Sequence, residues 1–160
     1  MHELTVRPRR AADLPALVEV LRAVHTQDGY PTVWPLDPAA WLDPPGLLRA
    51  WVAEASGVVV AHGALKDDVD GVRWVSRLFT DPAVRGSGAA GALLDVAVAA
   101  NGPGLLLDVV DDASGAIGFY ERRGWRLLER RAATWRDARG GSPLVRVYTA
   151  PVSGRGSGRP

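Results

Sequence analysis

A glycine-rich turn that leads directly into an apolar helix constrains the fold of this chain more than any other feature. The turn runs from Arg85 to Ala90 with the sequence RGSGAA, and the apolar residues that follow extend to about Ala100. Glycines let backbone N–H groups of a turn point outward, and the helix adds the unpaired N–H groups and positive dipole end of its first turn. This combination predicts a site for phosphate oxygens, with Arg85 as a cationic donor.

The segments around the turn indicate a mixed sheet with helices on its faces. Asp13 is predicted to cap a first helix, and Ser56-Gly57 to join two strands in a hairpin. Alternating residues from Val72 to Thr80 predict a strand that leads into the turn in an antiparallel arrangement. The other predicted strands cover residues 3–7, 49–55, 58–65, 105–110, 125–135 and 144–149, and a further helix ends at Gly124.

Two other phosphate-binding motifs fit the turn poorly. Gly86-x-Gly88-x-x-Gly91 has the spacing of a dinucleotide fingerprint. That fingerprint follows its strand directly in a parallel β-α-β unit, whereas here residues 81–85 intervene after an antiparallel lead-in. A Walker loop requires Gly-Lys-Ser or Gly-Lys-Thr, which the sequence lacks. The four letters RGSG recur at 155–158 in the C-terminal tail, so the flanking strand and helix carry the signal.

Composition excludes several classes of function. The 160 residues are 47% hydrophobic, which suits one domain over residues 1–150, followed by a flexible Gly/Ser/Arg tail over 151–160. A net charge of +1 predicts no specific nucleic-acid partner and no membrane partner. The chain has no cysteine and three scattered histidines, so no metal site is predicted. The N-terminus lacks the apolar core of a signal peptide, and a cytoplasmic protein is expected.

With its flanking elements included, the turn resembles motif A of the GNAT superfamily of N-acetyltransferases. Residues 78–82 look like the end of that family's fourth strand, and Arg85-x-x-Gly88-x-Ala90 fits the family pattern. Residues 113–125 are similar to its second motif, and the order of elements matches from Glu3 to Ala150. The resemblance implies an α/β fold with a central, mostly antiparallel mixed sheet of about seven strands, flanked by helices and splayed between strands 4 and 5.

The resemblance implies acetyl-CoA as co-substrate, with no metal. The cofactor-binding residues carried over from the family are Phe79, Thr80, Arg85, Gly86, Ser87, Gly88, Ala89 and Ala90. Tyr120 lies where the family commonly keeps a tyrosine beside the CoA sulfur, so it is the catalytic candidate that would protonate the leaving thiolate. Packing of its ring in the core is the alternative interpretation.

The acceptor site is expected in the loop after the first helix, which is rich in proline and aromatic residues. The substrate-binding candidates are His25, Asp28, Tyr30, Trp34 and His62. Aromatic rings with one carboxylate suit a small ammonium-bearing substrate. The general base stays open, because relatives often carry a glutamate on the fourth strand where this chain has Ser76, and an asparagine where it has Ala113. His62, His25 with Asp28, or ordered water are the alternatives.

Two functions from different classes remain at this point. The first is an N-acetyltransferase that acts on the primary amine of a small molecule by direct attack in a ternary complex. The second is a non-catalytic acyl-CoA-binding or sensor domain on the same fold. Because relatives often pair, the resemblance also allows a homodimer.

Overall fold

The structure, a computed structural model, describes residues 3–112 and 115–152. The chain divides into two compact units, residues 1–100 and 101–160. Ala113, where relatives carry an asparagine, lies outside the described residues, and so does the part of the predicted tail from 153 to 160.

The first unit is an antiparallel sheet with helices packed against it. Its strands are β1 (Leu4–Pro8), β2 (Leu47–Ala55), β3 (Val58–Asp67) and β4 (Arg73–Thr80), and its helices are α1 (Leu14–Asp28), α2 (Pro38–Trp41) and α3 (Ala89–Asn101). The strands pair in the order β1-β2-β3-β4. The predicted hairpin between β2 and β3 is confirmed, and Ser56 and Gly57 both have positive φ, 52° and 81°, as a tight hairpin turn requires.

The core of this unit lies between α1 and the sheet. Leu17, Leu21 and Val24 recur on one face of α1 and are buried against Val52 of β2 and Phe79 of β4. This is the apolar stripe that the helical spacing predicts. The end of α1 and the loop after it contain His25, Asp28, Tyr30 and Trp34 of the predicted acceptor residues, whereas His62 lies on β3.

The predicted cap of α1 differs from the observed one. The helix begins after Asp13, but the carboxylate makes no capping hydrogen bond within the helix. It accepts instead from Arg7 Nη1 and Nη2, at 2.9 and 2.8 Å, and from the backbone N–H of Arg10, at 2.7 Å. The bond from Arg7 lowers the pKa of Asp13 to about 2. A bidentate arginine holds a carboxylate more strongly than the helix N–H groups can.

The second unit contains three strands and one helix within residues 101–112 and 115–152. They are β5 (Leu106–Val110), α4 (Ala116–Arg122), β6 (Arg126–Ala132) and β7 (Leu144–Thr149), and the strands pair antiparallel in the order β5-β7-β6. Tyr148 of β7 is fully buried, and its hydroxyl donates to Glu121 of α4 at 2.7 Å. This bond joins the helix to the sheet of the unit.

The elements confirm the predicted α/β fold with seven strands and flanking helices across the described residues. The splay between strands 4 and 5 and the single domain over residues 1–150 stay predictions. No helix in residues 3–112 and 115–152 is both long enough and apolar enough to cross a membrane.

Candidate active site

Between the end of β4 at Thr80 and the start of α3, the chain forms a short 3-10 turn and then the glycine turn. The Asp81 side chain accepts from the N–H of Ala83 at 3.0 Å and starts a 3-10 turn over Pro82–Val84. Gly86 and Gly88 then take φ values of 82° and 91°, which side chains rarely adopt. Helix α3 begins directly afterwards at Ala89. The two glycines thus supply the backbone conformations that let the chain turn directly into α3.

Four of the six N–H groups in the predicted phosphate site are open. The N–H groups of Gly86, Gly88, Ala89 and Ala90 donate no hydrogen bond within the part of the chain that the structure describes. Those of Arg85 and Ser87 already donate to carbonyls of the preceding turn, at 3.4 and 3.2 Å. The hydroxyl of Ser87 is buried and lacks a partner among the described residues. Clustered open donors at a helix N-terminus fit an anionic oxygen ligand.

Arg85, a predicted cofactor-binding residue, contacts Asp28, a predicted substrate-binding residue. Its guanidinium forms an ion pair with Asp28 at the end of α1, in which Nη1 lies 3.3 Å from Oδ1. The bond raises the pKa of Arg85. The side chains are 49% and 33% exposed, so water competes with the pair and its stabilisation is small. Either partner can therefore turn to a ligand at low cost.

His62 is a buried, neutral ring with both nitrogens engaged. Its Nδ1 lies 2.8 Å from the carbonyl oxygen of Arg77, which can only accept, so Nδ1 carries the proton. Nε2 is then the acceptor for Arg9 Nη1 at 3.0 Å. The ring also stacks on Phe79, with centroids 5.3 Å apart, and has no exposed surface. Burial lowers the pKa of His62 to about 4. This environment argues against the expected contact with a substrate amine and against a role as base.

His25 differs from His62 in its surroundings. Its Nδ1 lies 2.6 Å from the carbonyl oxygen of Pro31, which assigns the proton to Nδ1 and leaves the lone pair on Nε2. The ring is half-buried and lies 5.3 Å from the ring of Trp34. Trp34 also packs against the core under α1, and the guanidinium of Arg22 lies 4.8 Å from its ring. His25 therefore keeps an accepting nitrogen next to an aromatic side chain of the predicted acceptor loop.

The rest of that loop packs through Tyr30 and Trp41. Their rings meet edge to face, with centroids 5.9 Å apart, and both side chains pack on the core under α1. On its other side Trp41 contacts Arg77 of β4, whose guanidinium carbon lies 3.9 Å from the ring centroid. Aromatic contacts thus help to hold the loop in place, together with hydrogen bonds to the carbonyl oxygens of Pro31 and Trp41.

Arg77 is a candidate site residue that the sequence analysis missed. It lies in a bulge of β4, where the pairing with β3 shifts between His62 and Ala64, and its φ is 54°. Bulges re-aim side chains and are frequent beside active sites. The strand itself carries no sign of the bulge, because the register shift depends on how β4 pairs with β3.

Tyr120 lies in the second unit, at the centre of an aromatic cluster. Its ring centroid is 5.3 Å from that of Phe119, 6.3 Å from Trp125 and 6.5 Å from Tyr148. The side chain is half-buried, so these contacts fix its ring while part of its surface stays accessible. Its predicted part in catalysis stays a prediction.

Comparison with known proteins decides the family. The family model described as an acetyltransferase (GNAT) domain matches residues 47–127, half of the chain, from the start of β2 into β6. The chain belongs to this family. GNAT membership makes the protein an acyltransferase and places its glycine turn inside the matched region. No curated protein matches the sequence significantly.

Solved structures agree with the GNAT fold. The ribosomal-protein-S18-alanine N-acetyltransferase from Escherichia coli is similar with a TM-score of 0.72 and 18% identity over 99% of each chain. A putative acetyltransferase from Salmonella typhimurium, solved with its cofactor acetyl-CoA, gives 0.71 and 17% over 96% of each chain. A putative phosphinothricin N-acetyltransferase gives 0.72 and 21%, over 94% of this chain and 99% of the other. At these identities the similarity establishes the fold.

Proposed function

We propose that this GNAT protein transfers the acetyl group of acetyl-CoA to the primary amine of a small molecule, by direct attack within a ternary complex. The observation that carries the proposal is the set of four open N–H groups at Gly86, Gly88, Ala89 and Ala90. They lie in the turn for which the family resemblance implies contact with a pyrophosphate. The expected cytoplasmic location and the homodimer stay predictions.

The residues at the turn fit the diphosphate of CoA in number and chemistry. The open N–H groups would donate to its oxygens, the unpartnered hydroxyl of Ser87 would add a donor, and Arg85 would supply a charge once it leaves Asp28. Phe79 and Thr80, at the end of β4, remain the residues expected along the pantetheine arm. Acetyl-CoA supplies the acetyl group, whose bond to sulfur is replaced by a bond to the amine nitrogen.

The acceptor end of the proposal rests on the loop after α1. Asp28 would hold an ammonium, and the rings of Tyr30 and Trp34 would cover its apolar part. His25 is the better-placed proton acceptor, because its Nε2 keeps a lone pair while both nitrogens of His62 are engaged. An amine must lose a proton to attack, and an imidazole suits this step near neutral pH. Tyr120 is proposed to return a proton to the thiolate.

Calorimetric titration with acetyl-CoA, CoA and NAD tests the cofactor half of the proposal. Saturable binding of acetyl-CoA and CoA without a signal from NAD is expected. Gly88→Ala should weaken acetyl-CoA binding about tenfold, because a φ of 91° costs a side chain on the order of 1–2 kcal/mol and the turn must shift to relieve it.

Gly57→Ala is the matched control. Gly57 has a φ of 81°, and no heavy atom lies within 4 Å of the position that an added methyl group would occupy, but the residue belongs to the β2–β3 hairpin away from the turn. The substitution should lower the unfolding free energy by a similar amount and leave acetyl-CoA affinity unchanged. Equal affinities of both variants would contradict the assignment of the turn.

Release of free thiol with a panel of amines tests the transfer itself. Faster release with at least one primary amine than with buffer alone is expected. Tight binding of acetyl-CoA without transfer to any amine would favour the non-catalytic acyl-CoA-binding or sensor domain instead.

A further inference from the structure

Arg77 holds a positive charge in a place where the fold gives it no carboxylate. Its Nε donates to the carbonyl oxygen of Trp41 at 2.9 Å, and its guanidinium carbon lies over the Trp41 ring, 3.9 Å from the centroid. These two contacts fix the plane of the guanidinium. They use one of its five N–H groups and leave the two terminal nitrogens, Nη1 and Nη2, directed elsewhere.

Arg77 lacks the carboxylate partner that several other arginines of the first unit have. Arg7 is paired with Asp13 and Glu54, Arg9 with Asp43, and Arg85 with Asp28. Within residues 3–112 and 115–152, Arg77 forms no ion pair, and Nη1 and Nη2 make no hydrogen bond although neither is closed off from solvent. The side chain is half-buried. A partly desolvated charge without a partner costs free energy unless a ligand supplies the anion.

The backbone at Arg77 also departs from regular strand geometry. A φ of 54° is uncommon for a residue with a side chain and is strained unless the surrounding structure holds it. The bulge brings the arginine against Trp41, two residues before Phe79 and beside the loop of the proposed acceptor site. Strain retained at a charged residue beside a binding loop points to a function of that residue.

We propose that Arg77 binds a carboxylate of the acceptor, so that the substrate class is a small amino acid, which carries both the amine and the carboxylate. The inference rests on the proposed acetyltransferase function. The two terminal nitrogens of a guanidinium match the two oxygens of a carboxylate. The contact with Trp41 holds the Arg77 guanidinium in position before the ligand binds. Preorganisation of this kind reduces the entropy lost on binding.

If Arg77 binds the carboxylate, the protein should prefer an amino acid to the corresponding amide, and this preference can be measured. An amide keeps the size and shape of the amino acid but removes the negative charge. A charge-assisted hydrogen bond to a buried group changes affinity by about tenfold to hundredfold. If Arg77 only held α2 against the sheet, its removal would affect the two acceptors equally.

The test compares kcat/KM for the common amino acids that carry a primary amine and no thiol, and for their α-carboxamides, measured by thiol release with saturating acetyl-CoA. The best amino acid should exceed its amide about tenfold or more in the unaltered protein. Arg77→Gln should lower the rate with the acid by that factor and leave the amide within about twofold, which brings the acid-to-amide ratio near one. Arg73→Gln, on the same strand in a half-exposed ion pair with Asp67, is the control that should keep the ratio.

A second measurement does not depend on turnover. The Nε–Hε resonance of Arg77 in 15N-arginine-labelled protein, assigned through Arg77→Gln, should shift on titration with the amino acid and not with its amide. Equal use of acids and amides, equal loss of both in Arg77→Gln, or an Arg77 resonance that no amino acid shifts would overturn the inference. Failure of the proposed function appears separately, as absence of acetyl-CoA binding in calorimetry.

Discussion

The buried ring of His62 predicts a specific acid sensitivity of the folded state. In the unfolded chain the ring takes up a proton near pH 6.5, whereas burial lowers the pKa in the folded protein to about 4. A second proton would make both ring nitrogens donors, facing a guanidinium of Arg9 that can only donate. Burial is the main cause of the lowered pKa; the carbonyl of Arg77 favours the imidazolium, the charges of Arg9 and Arg77 disfavour it, and Asp43 favours it weakly.

The sign and size of the effect follow from these two pKa values. Below pH 6.5 the unfolded state binds the proton and the folded state does not, so stability is complete above this pH and is lost as the pH falls toward 4. The interval corresponds to about 3 kcal/mol in total, of which about 2 kcal/mol is lost between about pH 7.5 and about pH 5.

His62→Gln isolates this contribution. Glutamine does not titrate, and its amide can accept from Arg9 in place of Nε2. Urea unfolding of both proteins should show a stability gap at about pH 7.5 that narrows by about 2 kcal/mol at about pH 5. A gap that stays constant with pH would mean that the native ring is as easily protonated as an exposed one. The argument against His62 as a base would then fail.

Three further predictions concern single side chains. Asp13→Asn should lower the unfolding free energy by about 2 kcal/mol above about pH 4. The difference should fade as the pH falls toward 2, because the pKa of Asp13 is lower in the folded protein than in the unfolded chain. Urea unfolding across this pH range measures the difference. An equal deficit at low pH would argue against the ion pair with Arg7. His25→Gln should reduce kcat by about a hundredfold with acetyl-CoA affinity unchanged, as thiol release and calorimetry report. Tyr120→Phe should keep the affinity, slow turnover and change the rate profile at high pH; an unaltered profile would remove the phenol from the mechanism.

The sequence predicts those parts of the fold that depend on neighbouring residues. The tight turn at Ser56-Gly57 and the start of α3 after Gly88 follow from local backbone preferences. The apolar stripe of α1 follows from helical spacing, and the family resemblance follows from two motifs at a fixed separation. Each of these signals is contained in a short stretch of chain.

The parts that the sequence did not predict depend on residues far apart in the chain. Asp13 has the sequence of a helix cap, but Arg7 on β1 binds its carboxylate. His62 looks like a free imidazole in the sequence, but Arg9 and Arg77, 53 and 15 residues away, engage both of its nitrogens. The role of Arg77 depends on one extra residue in the β3–β4 register, which no local pattern contains.

The ion pair between Arg85 and Asp28 makes the two halves of the proposed reaction thermodynamically dependent. A phosphate that draws Arg85 away frees the carboxylate for an ammonium, and an ammonium on Asp28 frees the arginine in return. Such linkage is reciprocal, so each ligand should raise the affinity for the other by the same factor. An exposed pair of this kind contributes no more than about 1 kcal/mol, which limits the factor to about fivefold. An ion pair between two side chains 57 residues apart would thereby couple the binding of the two ligands weakly.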